Sequence, residues 1–587
     1  MIAKFRPNKI HTNAEKFLAQ KLLELFFNKT LDSHRAKLNN PRWILIELSQ
    51  VLGDWNEGKI KVFDKTIKPV LLETTRFLEG RHYLQFGEIN EKYFRTLLGS
   101  CTDKSYQHLS YATSLLCHLN QNFLDALFDS IEKEISRLNV IKFTVDDLNE
   151  LSKLTDFLAT ELINRGHAKA YLYSITWRIF EHWRQFSFPE ALAEFKGAIN
   201  RELEDFTVVF KLNKLGGGTK KIDIKSEYEI GYEKIQELSK INNKAAVFFS
   251  KQGDFGYFLA MELPGRDYLS VIEKAKKEVF SLIDLINMGY PDNPFDFSKK
   301  CLVVGKRKPE LTNVQPVFYT PDGAYINNEK LYDLLLEKSR RILNNRSIQK
   351  ESIQKIVSAF RHLRLGRDAD ELEQKFLNYW IGLEYIFSNY DVHDTTITRL
   401  KEYFIHSHSV AYFKRNLREF HNDIVRLGLK THIPNFDNNL DYLKDAATYD
   451  NIIDKFFDEH PLLAFRAHKY RQLITGTKKI GDEIIKHRTN LEWHLTRCYR
   501  IRNEIVHDAA IHLNIESITG NLRYYLTYIL NGLLEYLDTS AEKSMDRPVT
   551  ISDYFLLQEI KYESLSKSGF QLEKLMAEKS VTEIFSK

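Results

Sequence analysis

The chain has 587 residues, too many for a single hydrophobic core, and 43% of them are hydrophobic, including 39 Phe and 29 Tyr, which excludes global disorder. A net charge of +5 permits a local basic patch but does not by itself point to nucleic acid. The 4 cysteines (Cys101, Cys117, Cys301, Cys498) are scattered, with no CxxC. They read as buried or neutral thiols in a reducing cytosol, not as a disulfide frame or a zinc site.

The opening stretch, "MIAKFRPNKIHTNAEKFLAQ", lacks the apolar core of a signal peptide. "AEKFLAQKLLELFF", "NQNFLDALFDSIEKEI" and "VDDLNELSKLTDFLATELI" then repeat apolar residues at helical spacing, so residues 1–204 are expected to form a helical domain, a candidate sensor or regulatory part. Around residue 205 the texture changes. "DFTVVFKL", "KAAVFFSK" and "YFLAMEL" are β-branched or aromatic runs expected to be strands. "DYLSVIEKAKKEVFSLIDLI" returns to a helix with Tyr268, Val271, Ile272, Ala275, Val279, Leu282 and Ile286 on one side, and "KKCLVVGKRK" and "VQPVFYT" follow as strands. Residues 205–340 are therefore expected to form an α+β module. Its "LGGGTKK" and "VVGKRK" match neither a P-loop nor a dinucleotide fingerprint; the first reads as a hairpin loop, and Lys306, Arg307 and Lys308 fall on another.

From about residue 328 helical spacing resumes, and residues 341–540 are expected to form an all-helical bundle, followed by a helical tail over 541–587. "ADELEQKFLNYWIGLEYIF" sets Leu372, Phe376, Tyr379, Trp380, Leu383 and Phe387 along one stripe with Glu384 at its edge. "HIPNFDNN" reads as a loop. "YYLTYILNGLL", interrupted by Thr527, Asn531 and Gly532, is too short to span a membrane. The fold class expected is mainly α, in a protein of the cytoplasm with no membrane segment.

The chemistry concentrates in "RIRNEIVHDA", residues 500–509. At roughly 100° per residue, Asn503 and His507 share a helix face and Arg500 lies on it too, whereas Arg502 stands about 140° from His507. A straight helix cannot aim both at one target, so either a distorted turn or a second subunit has to complete the site. Ile501, Ile505 and Val506 are expected to be the buried side. Histidine titrates near neutrality and can move a proton, a contribution of about 10²–10⁴ in rate. Arginine presents a permanent charge and a donor fork to phosphate oxygens, while Asn503 could orient either partner. From Lys486 to Asp508 five basic residues face three acidic ones, a mild attraction for a polyanion. Taken alone, an Arg and a His at this spacing are most often surface polar groups.

The pattern R-N-x-x-x-H, Arg502 to His507, resembles the R-x4–6-H motif of HEPN domains. "FLNYWIGLEYIF" is similar to the W-x-x-L-E signature of their Apea-like branch, and a Tyr- and Leu-rich helix follows the motif as in that all-helical family. The resemblance covers roughly residues 345–540. It implies Arg502 and His507 as the catalytic pair with Asn503 as polar neighbour; by its place in the sequence Glu384 is either a core-edge hydrogen-bonding residue or a support for this helix, and Arg500, on the His507 face, is a further possible support. It implies a metal-independent endoribonuclease without cofactor, acting as a homodimer or higher homo-oligomer. Large proteins of this branch resemble antiphage, abortive-infection effectors that attack host RNA, in some cases transfer RNA, when a phage-derived trigger is present. Some HEPN domains only bind RNA or hold subunits together, so a non-catalytic scaffold is the alternative. The long interval between Glu384 and Arg502, with an insertion-like segment around 428–475, departs from the simplest members.

Other candidates are weaker. Arg361, Arg364 and Arg367, three residues apart, form either an RNA-backbone stripe or a solvated helix face. His393, His406, His408 and His421 invite a metal reading, but His406 and His408 cannot share a helix face and no HExxH appears, so no metal site is assigned.

Overall fold

A computed structural model describes residues 11–182, 187–200, 202–214, 228–250, 255–289, 295–307, 309, 312–317, 329–388, 396–508, 515–541 and 547–577. The fold is mainly α, with 72% helix and 7% strand among the described residues. Its contacts divide the chain into two compact units, one made of Met1–Glu161 with Pro321–Lys587 and the other of Leu162–Thr320. These units divide at residues 161/162 and 320/321, whereas the boundaries expected from the sequence are 204, 340 and 540. The first helices pack with the C-terminal ones through buried side chains from both. The tail joins them as well, because Tyr554 and Phe555 of helix Ile551–Lys567 are buried in the same core as Trp380.

The smaller unit is built on a four-stranded antiparallel sheet of order β2-β1-β3-β4, with β1 Glu204–Lys214, β2 Phe255–Gly265, β3 Phe295–Gly305 and β4 Asn313–Pro316. Side chains alternate between its faces. Val208, Phe210, Leu259, Met261, Cys301 and Val303 meet Val271, Ile272, Ala275 and Val279 of helix Ser270–Gly289. Val209, Phe258, Leu302 and Val304 meet Ala245, Phe248 and Phe249 on the other face. Those last residues belong to "KAAVFFSK", which is the helix Asn243–Ser250 and not a strand. Their spacing of three and four places all of them on one helical face, and Asn242 caps the turn by accepting from the Ala245 N–H at 2.9 Å. "LGGGTKK", residues 215–221, lies outside the described residues. Helix Lys169–Trp177 also belongs to this unit, with the Tyr171 and Tyr268 rings edge to face at 5.4 Å.

In the larger unit the expected N-terminal helices are present as Asn13–Phe26, Phe123–Val140 and Leu148–Asn164, the first opened by a reciprocal cap between Thr12 and Glu15. The core that positions the motif joins three helices. Leu372–Phe387, here the tryptophan helix, contributes Phe376, Tyr379, Trp380 and Leu383. Ile480–Asp508, the motif helix, contributes Leu491, Leu495, Cys498 and Ile501. Ile515–Ala541 adds Leu522, Leu526, Ile529 and Leu533. A fourth helix, Lys350–Asp368, the arginine helix, packs on the tryptophan helix, where Gly366 leaves room for the Tyr379 ring: a Cβ there would stand 2.4 Å from it. Among the described residues no helix is long and apolar enough to cross a membrane.

Candidate functional site

The motif helix runs as regular α-helix through 29 residues to Asp508. The expected distorted turn between Arg502 and His507 is therefore not present, and the two side chains leave the helix in different directions. The apolar stripe that anchors this helix ends at Ile501, 7% exposed, with Ile505 packed at the core margin. Val506, expected in the core, is 48% exposed, because the packed face has already rotated away from it. His507 next to it is also exposed. Acidic Asp482 and Glu483 in its first turn suit the helix dipole.

Arg502 is held on the opposite flank. Its Nη1 donates to Asn503 Oδ1 at 3.2 Å, and its Nη2 lies 4.0 Å from Glu384 Oε2, both side chains about a quarter exposed. Glu384 is aimed there by its own helix, whose Trp380 and Leu383 are fully buried, with the Trp380 and Tyr499 rings 6.1 Å apart. The structure thus joins Arg502, Asn503 and Glu384 and sets His507 apart, without a hydrogen-bond partner among the described residues. Arg500 turns elsewhere: it pairs with Glu47 and lies 3.5 Å from Glu504. Arg361, Arg364 and Arg367 are all exposed on the arginine helix. Asp368 sits 3.7 Å from Arg364 and 2.7 Å from Arg367.

One turn before the motif, charge is buried. Arg497 donates to both oxygens of Glu47 at 2.9 and 2.8 Å and to Glu73 at 2.7 Å. Burial works to raise the Glu47 carboxyl, but Arg497 and Arg500 outweigh it and hold it below the usual carboxylate range. Burial raises Glu73, which has to share Arg497 with Glu47. His494 lies 3.6 Å from Cys498 Sγ and 3.3 Å from the Tyr525 hydroxyl. A second buried group links Asp32, Arg415, His408 and His487: Arg415 bonds Asp32 at 3.0 Å and His408 at 2.8 Å, and His408 bonds His487 at 2.8 Å. Burial pushes His487 and His494 down to about 3. Glu47 and Glu73 carry no signal in the sequence, since their partner lies 450 and 424 positions away.

The other histidines have ordinary partners: His406 stacks on Tyr562 at 4.8 Å and His421 bonds the Tyr442 hydroxyl at 3.0 Å. His393 lies outside the described residues, among which no group of three acidic, His or Cys side chains could hold a metal ion. All 4 cysteines are unpaired, and burial raises the Cys301 and Cys498 thiols to about 12. Lys306 is 2.8 Å from Glu262 and Arg307 3.6 Å from Glu202, so these two loop cations are met by carboxylates; Lys308 lies outside the described residues. The sequence matches no family model, and no curated protein or solved structure is significantly similar to it. The site therefore rests on its own residues.

Proposed function

We propose that the chain is a metal-independent endoribonuclease of the HEPN kind, an effector of antiphage defence with host RNA as its substrate. The observation that carries this reading is the end of the motif helix. An exposed histidine stands beyond the last core residue, and an arginine oriented by Asn503 and Glu384 stands one turn before it. The ribose 2′-oxygen attacks the adjacent phosphorus as its proton leaves, and the bond to the 5′-oxygen breaks as that oxygen takes up a proton. The products are a 2′,3′-cyclic phosphate and a 5′-hydroxyl. His507 moves a proton, and Arg502 steadies the charge that builds on the non-bridging oxygens. Because Arg502 and His507 diverge on one straight helix, the working site is assembled from two copies of this helix in a homo-oligomer, with an arginine from one and a histidine from the other.

A second reading, an RNA-binding or dimerisation scaffold, is favoured by that same divergence: within one chain Arg502 is engaged by Glu384 and Asn503, away from His507. Mapping RNA ends in cells expressing the wild type, His507→Ala or Arg502→Ala, with and without phage challenge, separates the two. Cyclic-phosphate ends that persist with chelator and fall about 10²–10⁴-fold in either variant support the nuclease. RNA binding with no cleavage under challenge leaves the scaffold.

A further inference from the structure

The tryptophan helix carries one large aromatic that does not enter the core. Tyr379 and Trp380 are 1% and 0% exposed, yet Tyr385, little more than a turn further on, is 40% exposed. Its ring is not loose. It lies against the imidazole of His362 on the arginine helix, with centroids 5.5 Å apart and planes 23° from parallel. His362 is fixed in turn by Asn378, which meets its Nδ1 at 3.1 Å. Gly382 favours this arrangement: a Cβ at that position would stand 2.8 Å from Leu526 and 3.3 Å from the His362 Cβ, so the absence of a side chain lets the two helices approach closely beside the stacked rings.

The surroundings of the stack are basic on the side of the arginine helix. Arg361, adjacent to His362, is exposed and has no partner among the described residues, and Arg364, one turn on, is met only by Asp368 at 3.7 Å. On the other side, Glu384 immediately precedes Tyr385 and faces Arg502. Four cationic or titratable donors (Arg361, His362, Arg364, Arg502) thus stand against two carboxylates (Asp368, Glu384). A flat aromatic face held in place beside exposed guanidinium groups, one without a partner among the described residues and one only loosely paired, is what a single-stranded nucleic acid requires: a base stacks on the ring while the arginines take the phosphates. The surface suits a second copy of this chain poorly, since a two-fold contact through it would bring Arg361 and Arg364 against the same basic patch.

We propose that the His362–Tyr385 stack is a binding platform for single-stranded RNA, on which a base close to the cleaved phosphate stacks while Arg361 and Arg364 hold the backbone. The proposal deepens the nuclease reading and rests on it for the phrase "cleaved phosphate", but the platform is tested by binding alone. The full chain carrying His507→Ala is titrated with an unstructured oligoribonucleotide bearing one 2-aminopurine, and the same is done with a duplex of equal length. The single strand is expected to bind with quenched 2-aminopurine fluorescence, and the duplex without quenching. Tyr385→Ala weakens single-strand binding about 10–100-fold and abolishes the quench, while Tyr385→Phe preserves both. Arg361→Ala weakens binding and lowers the salt slope by about 0.7. It also guards against misfolding of the tyrosine variant, because it leaves the ring stack in place.

Unchanged affinity and quench in Tyr385→Ala overturn the platform, as does the absence of any RNA binding. A shift of Tyr385→Ala from oligomer to monomer in sedimentation, with RNA affinity intact, reassigns the face to a second copy. Cleavage by the wild type that is indifferent to Tyr385→Ala sinks the platform and leaves the nuclease standing. Binding and quenching by a chain that cleaves nothing do the reverse.

Discussion

Between Arg497 and His507 the motif helix passes from sealed interior to solvent within about three turns, and it uses the same residue types in both places. In the interior Arg497 is 8% exposed and its guanidinium is gripped by Glu47 and Glu73. His494 beside it is enclosed by Cys498 and Tyr525. At the end, Arg502 keeps one loose ion pair and His507 none. Burial closes the interior set off from any substrate, so it serves the fold. The terminal set has donors to spare. A pattern of arginine and histidine thus acquires meaning only with its burial.

The contrast is broken most directly by removing one cation from each region. Arg497→Met strands the buried Glu73 carboxylate, leaves Glu47 to Arg500 alone and is expected to cost about 3–5 kcal/mol in urea unfolding. Arg502→Ala removes a partly exposed pair at 4.0 Å and is expected to cost under about 1 kcal/mol. Equal costs would mean that the two arginines do the same job, and the division of the helix would be wrong.

Acid offers a second, milder test. Burial holds His487 and His494 at about 3, below the roughly 6.5 of an unfolded histidine. Below pH 6.5 the unfolded chain therefore binds protons that the native one refuses. The stability these histidines contribute is complete above that pH and declines as pH falls from 6.5 toward 3, by up to about 1.4 kcal/mol per pH unit for each. Denaturation midpoints at pH 7 and pH 5 measure the loss, expected to be about 2 kcal/mol per histidine. His494→Gln should flatten the profile; a profile left unchanged by it would place that imidazole in a solvent-like setting.

What could be read from the residues follows the range of the interactions involved. Helices such as Asn13–Phe26, Leu372–Phe387 and Ile480–Asp508 show in the spacing of their own apolar residues, as do three long strands in their β-branched or aromatic runs. Asn243–Ser250 misled because Val-Phe-Phe favours strands locally, while the burial of Ala245, Phe248 and Phe249 on one face decided for helix. The pairing of the first helices with the motif helix was illegible, because Glu47 and Arg497 are 450 positions apart and neither shows its partner in its neighbourhood. The site was legible as a set of residues but not as a geometry. Asn503 and Glu384 were named, yet that both would hold Arg502 while His507 stood free depended on where the core ends.

That end point is open to the smallest test. Helical phase puts Val506 beside Ile505 and would bury both, but the structure leaves Val506 48% exposed. Val506→Ala then has two small and opposing effects. Loss of a half-covered side chain costs roughly half of the 1.5 kcal/mol at the low end for full burial. Alanine in place of a β-branched residue returns about 0.5 kcal/mol of helix propensity. The sum is expected to lie within about 0.5 kcal/mol of zero, and RNA affinity should be unaffected because no polar group changes. Ile501→Ala, in the packed stripe, should cost about 2–5 kcal/mol. If Val506→Ala approaches that figure in solution, the valine is covered by something, and a second copy meeting at the end of the motif helix is the cover that the proposed two-helix site calls for. In that event the loss should grow with dilution, since a surface buried only on association is stabilised by protein concentration.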